Sequence, residues 1–142
     1  MTSDRIDDRI DLRGPRFGAA LTAVVLAAVL ISGSGWLLAC QALVFAVGAV
    51  AGVRRSPYAW LFTVAVRPRL PAPTAFEDPA PPRFAQSVGL FFALVGLAGF
   101  ASGAQWLGLA ATAAALAAAF LNAAFGYCLG CEMYLLLRRA TG

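Results

Sequence analysis

The 142-residue chain contains no histidine and no lysine. Without imidazole it has no side chain that ordinarily titrates between pH 5 and 8, and no nitrogen ligand of the usual zinc sites. Ser-His-Asp hydrolysis is thereby excluded. Charge of either sign is scarce: 13% of residues are charged and 61% are hydrophobic, where a soluble domain is about a quarter charged. There is no P-loop, and no carboxylate pair inside an apolar run, so no cofactor or resident metal is expected. The net charge of +4 rests on eleven arginines. They flank apolar runs instead of forming a separate patch, which argues against nucleic acid as a partner.

What is present is four long apolar runs, the mark of a protein whose partner is a lipid bilayer. A membrane helix needs about 20 apolar residues. The runs extend from Pro15 to Ser32, Trp36 to Val53, Phe84 to Ser102 and Trp106 to about Phe125. They are continuous, not alternating, so they are helices and not barrel strands. Short glycine-containing links, Gly33 to Gly35 and Gly103 to Gln105, make two helical hairpins. Gly48 and Gly52 stand in a G-x-x-x-G spacing, and Ala110, Ala114 and Ala118 share one face of the fourth run. Both are expected to mediate close packing in lipid. Gln41 and Asn122 stand as polar residues inside the runs, with an interhelical hydrogen bond expected at Asn122.

All eleven arginines lie in the N-terminal tail, the middle loop or the C-terminus, and the hairpin links carry none. The positive-inside rule then places both termini in the cytoplasm. Trp36 and Trp106 open the second and fourth runs, where interfacial tryptophans are favoured. A rival reading takes "WLLAC", Trp36 to Cys40, as a lipoprotein cleavage box. The aspartates of the leading tail, the Gly-Ser interruption and the apolar run beyond Cys40 oppose it. Cys40 is then a small apolar residue within a helix.

The chain reads as two similar halves. "PRF" stands at Pro15–Phe17 and again at Pro82–Phe84, each followed by a run, a Ser-Gly turn, a tryptophan and a second run. Each half closes with a short apolar segment ending in arginine, "SPYAWLFTVAVRPR" and "GYCLGCEMYLLLRR". Ser56 and Pro57 are a good N-cap and first helical residue. Such short segments cannot cross and are expected to lie along the cytoplasmic interface. The stretch from Arg67 to Arg83 holds six of the eight prolines, which predicts an extended loop. The expected fold is therefore all-α: an integral membrane four-helix bundle of two hairpins in parallel tandem repeat, each followed by a short interfacial helix. It forms a single membrane domain over 1–142. Its parts are a cytoplasmic tail (1–14), a first hairpin (15–53), an interfacial helix with a Pro-rich loop (54–83), a second hairpin (84–125) and a terminal CxxC segment (126–142).

Cys128 and Cys131 form a C-x-x-C where the last run ends. At a helix N-terminus the peptide dipoles favour a thiolate, so Cys128 is the candidate attacking thiol and Cys131 the resolving one. Gly130 keeps their turn small, and Glu132 opposes the dipole by raising thiol pKa values. A reducing cytoplasm argues against a permanent disulfide. Thiol–disulfide exchange or sulfur relay fits this pair. Two chains pooling four thiolates around a metal, or inert packing, remain open at this stage. A transporter or channel component, or a scaffold with incidental cysteines, is the alternative class, and a homo-oligomer is compatible with either.

The pieces "RGPRF" (Arg13–Phe17), "EDPAPPRFAQ" (Glu77–Gln86) and "AFLNAAFGYCLGCEMY" (Ala119–Tyr134) resemble a bacterial family of small four-helix membrane proteins catalogued as a domain of unknown function, family 4395. The resemblance covers nearly the whole chain and implies no settled activity. The family's tendency to neighbour thioredoxin-like and sulfurtransferase genes implies such a soluble protein as partner.

Overall fold

A computed structural model describes residues 10–72 and 76–141. Residues 1–9 of the expected tail (1–14) lie outside them, and the rest is not a tail: Ile10–Asp11 pair as a strand and Arg13 opens the first helix. The described chain is helical apart from one two-residue antiparallel pairing, β1 (Ile10–Asp11) with β2 (Phe76–Glu77). The main helices are α1 (Arg13–Ser32), α2 (Gly35–Val50), α3 (Pro57–Leu61), α4 (Ala80–Ser102), α5 (Gln105–Phe125) and α6 (Leu129–Thr141). From α3 the chain stays helical through a π turn at Phe62–Val66 and a 3-10 turn at Arg67–Arg69.

Three helices, α1, α4 and α5, are long and apolar enough to cross a membrane. Their outward faces carry large apolar side chains with no protein cover, among them Val24, Ile31, Phe91 and Phe120. An apolar surface of that kind is what lipid, not water, accommodates. The second run forms a shorter helix than its sequence implies. α2 has 16 residues and ends at Val50, because Gly52 takes φ +103° and breaks the axis. A Cβ added at Gly52 would meet nothing within 4 Å, so this glycine serves the break and not helix packing. Gly48 alone packs: a Cβ there would stand 2.8 Å from Gln86 Cγ.

The core lies toward the end bearing the two hairpin turns. Leu26, Val29 and Leu38 are fully buried there, and α4 meets α5 through glycine. A Cβ on Gly99 would lie 2.6 Å from the Gly108 backbone nitrogen. The buried face of α5 is Gly108, Ala111, Thr112 and Ala115. Ala110 and Ala114 are exposed and Ala118 half-buried, so the expected alanine stripe is displaced around the helix. In so Ala-rich a helix the single inward hydroxyl of Thr112 is too little to mark which alanine stripe faces inward.

The two halves are tied to each other reciprocally. Arg16 of α1 donates through Nη2 to the carbonyls of Ala123 and Ala124 at 3.2 and 3.5 Å. Arg83 of α4 donates to those of Ala49 and Val50 at 2.7 and 2.6 Å. Each arginine thus satisfies the orphan carbonyls of a helix C-terminus in the other half. Glycines with positive φ follow both helices, Gly52 and Gly126. Beyond them, Phe62 stacks on Phe17 with ring centroids 5.7 Å apart, and Tyr134 on Phe84 at 5.8 Å.

At the arginine-bearing end, Asp11 accepts hydrogen bonds from the Arg13 backbone and guanidinium. That guanidinium holds the Asp11 carboxyl below the usual carboxylate range. Higher up, Gln41 is 1% exposed. Its Oε1 accepts from the Tyr58 hydroxyl at 2.6 Å and its Nε2 donates to Thr22 Oγ1 at 3.4 Å. Gln41→Leu should cost about 1–3 kcal/mol, because Tyr58 is left half-buried without its acceptor. A lowered unfolding midpoint in detergent checks this; an unchanged one means that water reaches Tyr58.

Candidate functional site

Gly126, with φ +71°, ends α5 and turns the chain toward Cys128. The Glu132 amide then donates to the Cys128 carbonyl at 3.0 Å, and the Cys131 amide to Cys128 Sγ at 3.1 Å. Cys128 is therefore the N-cap of α6, with sulfur in the place of the usual oxygen. In the first half the same position is held by Ser56, whose hydroxyl accepts from the Tyr58 amide at 3.3 Å. Ser56 stands six residues before Phe62, as Cys128 does before Tyr134. One half carries a cap that can only hydrogen-bond, the other a cap that can exchange electrons.

Cys128 and Cys131 are joined as a disulfide, Cα atoms 5.1 Å apart, and Cys40 is free and exposed. The sequence argues against a permanent disulfide here, whereas the structure joins the pair, because the turn after Gly126 brings the two cysteines within bonding reach. The N-cap geometry serves the joined and the reduced pair alike, since a backbone N–H aimed at Cys128 Sγ also favours its thiolate. Both cysteines are half-buried. Gly130 is less a device for a small turn than a contact point. A Cβ there would lie 2.6 Å from Ala85 Cα, so a residue without one lets α6 lie directly on α4.

The disulfide borders a cavity of 1310 Å³ between the halves. The burial pattern explains the opening. α4 has no buried residue between Pro82 and Ala93, and α5 none beyond Ala115. The helices are clamped by glycine at the turn end and spread at the arginine end. The cavity reaches Phe92 on α4 and Ala114 on α5. Phe92 lies seven residues beyond Ala85, about 10 Å deeper than the disulfide's level along the helix. Sequence reasoning singles out Cys128, Cys131 and Asn122, which all line the cavity, but misses Gln86 and Arg16, which line it too. The signal for Arg16 was the repeated Pro-Arg-Phe.

Among the described residues no group of three or more Cys, Asp or Glu side chains is placed to hold a metal ion. A family model described as "Domain of unknown function (DUF4395)" matches residues 10–139. No curated protein and no solved structure matches the chain.

Proposed function

The chain belongs to the DUF4395 family, whose description carries no activity, and from its own residues we propose that it is a membrane-embedded thiol redox or sulfur-relay protein working through Cys128 and Cys131. The observation that carries this reading is the sulfur N-cap: Cys128 receives the Cys131 amide at the head of α6, beside a cavity. In the reduced state the Cys128 thiolate attacks a disulfide of a soluble thioredoxin-like partner and displaces one partner thiolate. Cys131 then attacks the mixed disulfide and releases the second. The partner is reduced by two electrons, and Cys128–Cys131 is oxidised by two. With a sulfurtransferase carrying a persulfide, Cys128 takes the outer sulfur and the partner regains its thiol. Substituting Cys131→Ser removes the resolving sulfur, so the mixed disulfide should accumulate. A Cys131→Ser protein that traps no thioredoxin-like or sulfurtransferase protein, and a wild-type dithiol that exchanges with neither class, would end this reading.

The proposed setting is a four-span bundle of duplicated hairpins in the bacterial inner membrane, with both termini and the disulfide cytoplasmic. The confinement of the arginines to one end supports it. An impermeant maleimide should label the reduced pair in inside-out vesicles and spare it in right-side-out ones. Labelling from the outer face alone would invert the topology. The cavity itself favours a second reading, passage or binding of a small solute. Solute uptake that survives Cys128→Ser/Cys131→Ser would support that reading over relay.

A further inference from the structure

Resting on the redox reading above, we propose that the cavity is the binding site of a lipid-dissolved quinone, which exchanges two electrons directly with Cys128 and Cys131. Three observations converge. First, the cavity runs from the disulfide to Phe92, well inside an apolar helix that is long enough to span. A carrier confined to lipid can reach that depth. A soluble disulfide such as glutathione can meet arginines that line the cavity, Arg13, Arg16 and Arg67 among them, but would lose that pairing on passing to the Phe45 and Phe92 rings.

Second, two primary amides line this otherwise largely apolar space, Gln86 from α4 and Asn122 from α5. Among the described residues neither makes a hydrogen bond through its side chain. No buried side-chain nitrogen or oxygen lacks a partner among the described residues, so these two amides face the open cavity and are free to bond a ligand or water there.

Third, their positions correspond. Gln86 follows Arg83 by three residues, and Ala19 follows Arg16 by three; Asn122 precedes Gly126 by four, and Gly48 precedes Gly52 by four. Gln86 lies on Gly48. At each of the two equivalent helix pairings one member is an amide and the other is Gly or Ala. Two N–H donors, one from each pairing, suit a ligand with two carbonyl oxygens on opposite ends of a flat apolar ring. A para-quinone has that form.

The exchange balances without another reactant. The two S–H bonds of Cys128 and Cys131 break and one S–S bond forms. Two electrons and two protons pass to the quinone, whose carbonyls become the hydroxyls of the quinol. The reverse step reduces the disulfide at the expense of quinol. A volume of 1310 Å³ exceeds the roughly 300–1,000 Å³ of most small-molecule pockets, leaving room for a ring and the start of its tail.

The test uses the reduced full-length protein in lipid nanodiscs, without oxygen, with a decyl-tailed benzoquinone. The expected result is one quinol per disulfide formed, abolished by Cys128→Ser. Gln86→Leu and Asn122→Leu should each slow the reaction about tenfold, the loss of one hydrogen bond, with unchanged oxidation by a small soluble disulfide. The second variant covers the case in which Gln86→Leu disturbs the contact with Gly48. Quinol formation that persists in Cys128→Ser, or wild-type rates in both amide variants, would overturn the site. So would a dithiol that glutathione disulfide oxidises and the quinone does not. That last outcome, together with a trapped partner in Cys131→Ser, leaves the relay standing and removes only the quinone.

Discussion

Gly99→Ala should be among the most damaging single-methyl additions in the bundle, at about 3 kcal/mol. The new Cβ would meet the Gly108 nitrogen at 2.6 Å and the Ala104 carbonyl at 3.1 Å. Both are backbone atoms, so no side chain can rotate away, and the α4–α5 hairpin has to open at its turn. Helices in lipid gain little from apolar burial against one another; close backbone contact supplies their association. Opening this contact removes that supply where the core is densest. Ala114→Leu is the matching control. Ala114 is exposed, and its enlargement should cost less than about 0.5 kcal/mol. Equilibrium unfolding in mixed micelles compares them. Equal losses would mean that α5 is rotated from the face described here.

Gly130→Ala should act on chemistry more than on stability. The added methyl would stand 2.6 Å from Ala85 Cα and Cβ, so α6 must lift from α4. The hydrogen bond from the Cys131 amide to Cys128 Sγ goes with it, as does the stacking of Tyr134 on Phe84. A thiolate deprived of its cap is less populated and a weaker leaving group. The rate of disulfide exchange should fall about tenfold, one hydrogen bond's worth, while the unfolding midpoint of the four long helices moves little. Ala85→Gly added to Gly130→Ala should restore only part of the rate, because the Ala85 Cα remains in the way. A Gly130→Ala protein with the parent exchange rate would show that the cap does not tune Cys128.

Which of these features the residues announce depends on how they act. The turns are legible, because a positive φ at Gly33, Gly103 and Gly126 suits the one residue without a Cβ. The three long apolar helices are legible from length and composition alone. The inward face of α5 is not, since alanine looks alike on every side, and the Gly48–Gly52 spacing misleads because the second glycine is spent on the backbone. Gln41 is visible as a polar residue in an apolar run, yet its partners Thr22 and Tyr58 come from two other segments. Cys128 and Cys131 stand out by spacing, whereas their oxidation state is a property of the surroundings. The cavity leaves no trace in the sequence, being what remains when glycine clamps one end of a helix pair and not the other.

The crossed arginines also set an order in time. As the chain leaves the ribosome, α2 is made with the carbonyls of Ala49 and Val50 open, and their donor, Arg83, lies more than thirty residues behind. Arg16 emerges early and waits for Ala123 and Ala124, over a hundred residues later. Neither half can close its own helix end, so an N-terminal fragment stopped before Arg83 is an unfinished object that quality-control proteases should recognise. The last latch to shut is the one beside Gly126, two residues before Cys128. Cys128 and Cys131 are made only after both arginines and all four of the carbonyls they cap.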